Sequence, residues 1–588
     1  MPRAVPLLAA FNRGEITPLM ASRVDLDIYQ RAVSRMENMI PLAQGPATRR
    51  PGTRFIARAK SDSAVILIEF EFSTVQAYVI EAGPGYFRFY RNGGQIESTP
   101  GTPYEISTPY LAADLPRLQW AQSADVLYLA CPGHAPRKLS RTGDTAWTLT
   151  TISFTGAPAA WTGTNWPAAV SFFQSRLWWG GTPDQPQTIW GSKTGDFENL
   201  TVGPAADDGI ALTIDDDQMN AIRWMRSQRV LLIGTASGEF ALSGGSPGDP
   251  VTPSSVQVQR QSAVGSAAVA AQSIGSSVVF VQRAGRKVME TNFSFEADSY
   301  ISGELSLMAG HMLRAGVVRV AWQQEPWRVL WCVLADGALV GMTFMRDQQV
   351  VAFHRHPIGG AGKVLGAACI PGNGASELWV LVERTVSGGQ RRHVERMEPE
   401  FWAEDGVAQP TLDAVFMDSA ITYQGTPATA ITGLDHLEGL TVQVMADGAT
   451  HPDRVVTSGS ITLQRAASRV HVGLRADAVM VSLDLAVGAQ DGTAQTRRRR
   501  VEEVGVVLFQ SLGFEIGYLD ERSRMMKADL IETRRPATPM DGPPPLVTGV
   551  LRVKVPSDYQ DEVRLAIRSE QPLPLTVVGL APRVYMHG

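Results

Sequence analysis

The 588-residue chain reads as mainly β: a β-propeller-like body of about seven blades, a second small β-barrel or sandwich domain, and a short N-terminal helix. Three observations predict this. Short apolar runs, each followed by a tight turn and a second short strand, recur between about residues 65 and 397. Gly and Pro are abundant, at 55 and 37 residues, and break the chain at intervals that suit strands. Helical periodicity of useful length occurs mainly near the N-terminus.

The spacing of these runs is regular. They are VQAYVIEAGPGYFRFY at Val75, DVLYLACPGHAPRKL at Asp125, RLWWGGTPDQPQTIW at Arg176, RVLLIGTASGEFAL at Arg229, SVVFVQRAGRKVME at Ser277, RVLWCVLADGALVGM at Arg328 and ELWVLVERTVSGGQRRHVERM at Glu377. Successive anchors lie about 50 residues apart, within the range of propeller blades. Pairs such as Ser237-Gly238 and Asp336-Gly337 supply hairpin turns. One small sheet cannot cover both its faces, so blades stack around an axis and cover one another. The competing reading is a series of β-sandwiches with accidental spacing. The persistence of the rhythm over the whole stretch favours the propeller.

The helical candidate spans residues 25–39, where Leu26, Tyr29, Ala32 and Met36 recur at spacings of three and four and Asp25 stands ready to cap. A turn follows at Arg49, Arg50, Pro51 and Gly52. Past residue 413, short strands separated by Asp447-Gly448 and Ser458-Gly459 predict the second β domain. Residues 536–545 are Pro-rich and read as a linker, and the strands beyond them are expected to return to that domain. The expected divisions are 1–60, an N-terminal arm and helix; 61–400, the propeller; 401–535, the second domain; and 536–588, the linker and C-terminal strands.

Composition narrows the function. The formal net charge is −5, whereas dedicated nucleic-acid binders are usually basic. Cys131, Cys332 and Cys369 are scattered and odd in number, which is neither a disulfide framework nor a zinc site, and suits synthesis in a reducing cytoplasm. The apolar stretch at residues 6–11 is too short for a signal-peptide core, and no apolar run approaches the ~18 residues of a membrane span.

No Gly-x-Ser-x-Gly elbow, Walker loop or His-Glu-x-x-His helix is present, so no catalytic, cofactor-binding or metal-binding residue is assigned. His354 and His356 alternate on one strand and share a face, as surface or interface histidines would. Asp215, Asp216 and Asp217 lack the spacing of a calcium loop and read as solvated. Arg497, Arg498, Arg499 and Arg500 form the strongest basic run. Three readings stay open for it: phosphate contact with DNA, a subunit interface, and a solvated loop paired locally with Glu502 and Glu503.

The N-terminal stretch carries a specific resemblance. Gly14, Glu15, Ile16, Thr17 and Pro18, then Arg23, Val24 and Asp25, then Arg49 to Phe55 (RRPGTRF), follow the order seen at the start of podovirus-type tail nozzle proteins, also called tail tubular protein B or packaged-DNA stabilisation protein. TPYLAADLPRLQWAQSADVLYLACPGHAPRKLSR, FFQSRLWWGG, LLIGTASGEF, WCVLADGALVGMTF and GLDHLEGLTVQVMADG extend the resemblance to about residue 475. It implies a structural, non-enzymatic bacteriophage virion protein: a hexameric ring below the portal and its adaptor ring, in the viral tail. The ring would retain packaged DNA, touch it transiently, and pass it during DNA ejection. No cofactor is implied. Gly14, Glu15, Pro18, Arg23, Asp25, Arg49, Arg50 and Arg54 are then candidates for docking on the adaptor or a neighbouring subunit; the alternative is that this segment closes the propeller as an extra strand. The competing functional classes are a glycan-degrading enzyme and a receptor-binding module on a propeller.

Overall fold

Each of the seven apolar runs forms the second and third strands of a four-stranded antiparallel unit in the computed structural model. The structure describes residues 3–587 apart from 217, 246–247, 373, 405–408, 486–487, 490–491, 494, 496, 521–525, 532, 534–542 and 556. Most of the Pro-rich segment, and Asp217 of the acidic run, therefore lie outside the described residues.

The seven units close into a β-propeller. Seven apolar clusters lie between successive units, and the circle is complete: Ile68 and Phe89 of the first pack with Leu129 and Trp147 of the second, and so on to Trp379 and Leu381 of the seventh against Val79 and Tyr90 of the first. This explains why the middle strands are apolar without alternation. Successive side chains point to opposite faces, and both faces are covered. Trp178 thus joins the cluster shared with the fourth blade, while its neighbour Trp179 joins the cluster shared with the second.

The N-terminal segment is woven through the rest of the molecule. The helix is one turn, Asp27–Gln30, and the chain then runs into strands Val33–Glu37 and Met39–Pro41. The expected helix over 25–39 is corrected accordingly. Its apolar spacing is real, but Val33 and Met36 are buried by strand pairing, parallel to Val350–Arg355 of the sixth blade and antiparallel to Ala478–Ser482 of the second domain. Asp25 does not cap the turn; it pairs with Arg23 at 2.9 Å in solvent.

Strand Thr53–Arg58 supplies the outer strand of the seventh blade, antiparallel to Gly389–Met397, and on its other edge it bridges in parallel to Asp418–Thr432 of the second domain. Sixth and seventh blades are thereby continued into the second domain by one N-terminal strand each. The C-terminal strand Thr576–Met586 returns to pair with Arg499–Ser511, Ala47–Arg49 and Arg3–Ala4. One core of the second domain accordingly mixes N-terminal Phe11, Met36 and Met39 with Val506, Ile567 and Val577. No helix among the described residues is long and apolar enough to cross a membrane.

Two glycines in this segment sit where backbones meet. Gly14 has φ +62°, and a Cβ there would lie 2.4 Å from the Phe353 carbonyl oxygen. A Cβ on Gly52 would lie 2.0 Å from the carbonyl oxygen of Met417. Backbone cannot yield as a flexible side chain does, so Gly52→Ala is expected to cost about 1–3 kcal/mol or more. Urea unfolding of the variant measures it; an unchanged midpoint would mean that the two segments are not so closely apposed.

Candidate functional site

The residues of the RRPGTRF turn meet the seventh blade and the second domain at one buried junction. Pro51 and Gly52 carry the chain past Met417, and each side chain around them finds an internal partner. Arg49 donates to Ser569 Oγ at 2.8 Å and to the carbonyls of Leu573 and Ala476 at 3.0 and 2.6 Å. Arg50 holds Asp418 in a two-pronged pair with both bonds at 2.9 Å, and the two side chains are 1% and 0% exposed. Thr53 Oγ1 donates to Glu395 at 2.6 Å. Glu395 is paired in turn with Arg384, and both are fully buried. Arg54 bonds Glu398 at 2.6 Å, and the Phe55 ring stacks on His436 at 3.9 Å.

Two arginines and two carboxylates balance at the centre, and the remaining lone pairs are used: the Gly359 amide donates to Asp418 at 2.9 Å and Arg384 Nε to the Gly359 carbonyl at 2.8 Å. Burial alone would raise the Asp418 carboxyl, but Arg50 and the Gly359 amide outweigh it and hold it below the usual range. Such a network fixes one relative arrangement of strap, blade and second domain, because each member is satisfied only in that arrangement.

A second knot lies where the strap meets the sixth blade. Glu15, 2% exposed, accepts from Arg355 Nε at 2.9 Å and from the Met36 amide at 3.0 Å, and lies 2.8 Å from His311 Nε2. Of the docking candidates, then, Gly14, Glu15, Arg49 and Arg50 are buried inside the chain, and Arg54 is half-buried against Glu398. The assignment of the first four to an external partner is corrected, because buried groups cannot reach one and a buried charge must be paired where it lies. Pro18, Arg23 and Asp25 remain on an exposed loop beside Leu19, which is 88% exposed. Sequence could not tell inward from outward arginines here, since the partner of Arg50 lies 368 residues away.

The basic run is also divided. Arg499 is fully buried, donates to the Leu485 carbonyl at 2.8 Å and pairs with Asp484 at 2.9 Å. Arg500 lies between the rings of Tyr559 and Tyr585, at 5.3 and 5.5 Å. Arg498 is exposed, and donates to the Tyr559 carbonyl at 2.8 Å. Strand alternation is the cause: Arg499 points into the core and its neighbours do not. The four residues are therefore not one external patch. Arg499→Ala is expected to destabilise by about 3 kcal/mol, since it leaves Asp484 without its buried partner, whereas Arg498→Ala leaves the fold unchanged. Thermal melts of the two variants separate the roles; equal melting points would contradict the division.

The histidine pair is buried, which corrects the expectation of a surface or interface position. His354 and His356 do share a face, and their rings bond through Nδ1 and Nε2 at 2.5 Å against the Trp331 ring, 4.9 Å from His356. Their shape and one shared proton suit the blade core. Burial pushes His354 down to about 3 and His356 well below the ordinary value, the latter also through His354 and Arg50. Both are neutral in the fold, while the unfolded chain protonates them below about pH 6.5. Stability is then complete above that pH and falls toward about pH 3, by up to about 1.4 kcal/mol per pH unit for each such proton. Urea midpoints between pH 7 and 5 test this: replacing both histidines by Gln should flatten the slope, and an unchanged slope would contradict neutrality in the fold.

Two further clusters have local explanations. Asp114, Cys131 and His134 come together between the first two blades. Asp114 already accepts from the Leu111 amide and from Arg117, each at 2.9 Å, and lies 2.8 Å from His134 Nε2. Burial pushes the Cys131 thiol up to about 12, so with no cation beside it the thiol stays protonated. The set is better read as a hydrogen-bonded corner. On the propeller axis, Trp120 Nε1 donates to Glu69 at 3.3 Å and the Arg319 guanidinium lies over the Trp120 ring at 5.7 Å. The axial cavity they line is about 120 Å³, below the roughly 300 Å³ at which ligand pockets begin.

The architecture is thus a seven-bladed propeller tied to a second β domain by an N-terminal strap. No family model matches the chain, and no curated protein matches it. Among solved structures it is similar to the Neurospora crassa Pan2 WD40 domain, at 9% identity over 60% of this chain and 96% of that one, TM-score 0.36. It is also similar to the RRP9 WD40 repeats, at 10% identity over 60% of this chain and 100% of that one, TM-score 0.38. The propeller rests on its own seven sheets and inter-blade cores, and these likenesses add nothing about function.

Proposed function

We propose that the chain is a structural subunit of a bacteriophage tail nozzle, six copies of which form a ring that retains packaged DNA and passes it during ejection. The observation that carries this reading is the ordered series of nozzle-like motifs from Gly14 to about residue 475. The construction is suited to the task. A ring holding a pressurised genome needs subunits that resist shear between domains, and the buried Arg50–Asp418 pair, which joins the N-terminal strap to the second domain, opposes such shear. The propeller axis is filled by side chains, so DNA would pass between subunits, along the axis of the ring. The exposed loop carrying Pro18, Leu19, Arg23 and Asp25 is the part of the motif region left for contact with an adaptor or neighbouring subunit. Location in the virion, after synthesis in the host cytoplasm, belongs to the same proposal.

Particles assembled without the chain test this reading. They should fill with DNA and then lose it, as measured by nuclease-sensitive DNA outside the particles. Particles that retain DNA and deliver it normally without the chain would overturn the proposal.

A further inference from the structure

A groove of about 660 Å³ opens between the sixth blade and the second domain, within the size range of ligand sites and at the kind of domain boundary where they concentrate. Its walls are aromatic. Trp402 is 65% exposed and leans on Phe509, with ring centres 4.9 Å apart. Trp327, itself mostly buried, also lines the groove, with its indole N–H turned to Glu400 at 3.2 Å. An indole this open on a groove wall stands apart from the other tryptophans, nine of which are buried while Trp120, Trp166 and Trp322 are partly covered.

The polar groups are equally informative. Gln44, Glu325 and Arg328 line the groove, are exposed, and have no side-chain hydrogen bond or ion pair among the described residues. Among the described residues Glu400 has one partner, the Trp327 indole, and no cation. Donors and acceptors therefore both stand open beside a flat aromatic face. Arg328 also adopts φ +53°, a left-handed conformation rare for a long side chain, which sets it at the rim.

We infer that this groove binds a neutral oligosaccharide. A pyranose ring presents an apolar C–H face that stacks on an open indole, and a rim of hydroxyls that both donate and accept. Carboxylates take pairs of hydroxyl protons, while Gln and Arg give protons to hydroxyl and ring oxygens. An anionic glycan or nucleotide would meet Glu325 and Glu400. A purely apolar ligand or a proline-rich peptide would desolvate these four side chains without replacing their bonds to water, at about 1–3 kcal/mol for each group left unpaired. The inference does not rest on the nozzle reading: the groove belongs to one subunit, and its occupancy is measured on the isolated chain.

The experiment titrates the full chain with six-residue oligomers of glucose, mannose, galactose and N-acetylglucosamine, following tryptophan fluorescence and heat. At least one series should saturate at millimolar concentration or below. Trp402→Ala should weaken that binding about tenfold or more, and Glu400→Gln by a smaller factor, with melting points unchanged. Trp402 is largely exposed, so its removal leaves the fold intact; Glu400→Gln keeps the shape and gives an independent check. No saturation by any oligomer at about 10 mM would overturn the inference, as would binding indifferent to both substitutions. Decaproline competing for the groove where sugars do not would assign it to peptide instead.

Discussion

Removal of residues 1–58 should abolish the native state, leaving a chain that is insoluble or lacks a cooperative unfolding transition. The reason is topological. The strand Thr53–Arg58 is the outer strand of the seventh blade and also the bridge to Asp418–Thr432. Val33–Glu37 bridges the sixth blade to Ala478–Ser482 in the same way. Without them two sheets end in open edges, which are templates for aggregation. Met36, Met39 and Phe11 also leave a core they share with the C-terminal strands. Glu395 would keep Arg384, but Asp418 would be buried without Arg50. Size-exclusion chromatography and circular-dichroism melting of residues 59–588 measure the outcome. A monodisperse, cooperatively melting product would show that the strap is an appendage.

The second large effect is expected at a single carboxylate. Asp418→Ala should cost at least about 3–5 kcal/mol, because it strands the Arg50 guanidinium, 1% exposed, in the junction. Arg50→Ala should cost a similar amount, and the double variant much less than the sum, since the two act as a unit. Replacement of the exposed Arg23 or Asp25, which make an ion pair of the same length, should have no measurable effect. The pH dependence has a definite sign. The Asp418 carboxyl is held below its usual range, so its contribution is present above the unfolded value near 3.9 and is lost as pH falls through the lower folded value. The histidine pair weakens the fold earlier, from about pH 6.5 downward. Chemical denaturation across pH in both variants separates the two contributions.

These effects show what could be read in the sequence. The blades were legible because each middle strand is buried on both faces and announces itself as an apolar run, as in Leu177, Trp178 and Trp179. The C-terminal return was legible from the alternation in Thr576–Met586. The strap was not. Residues 25–39 satisfy a helical period, and only pairing with partners some 320 and 450 residues away turns Val33–Glu37 into a strand. The junction was hidden for the same reason. Arg50 looks like a surface residue until Asp418 is brought to it, and the RRPGTRF motif was readable as a signature without its mechanical meaning. In the basic run, the alternation that buries Arg499 was available in principle, but four identical residues mask it. The groove between Trp327 and Trp402 could not be foreseen, because its walls come from the sixth blade and the segment after the seventh.

The proposed function requires that six copies of this chain make a ring. Native mass spectrometry and electron microscopy of the purified protein, alone and mixed with phage portal and adaptor rings, test it most directly. The account predicts a six-fold ring with a central channel, seen alone or seated on the adaptor, with the loop around Leu19 at a contact. A persistent monomer that joins no portal or adaptor assembly would contradict it.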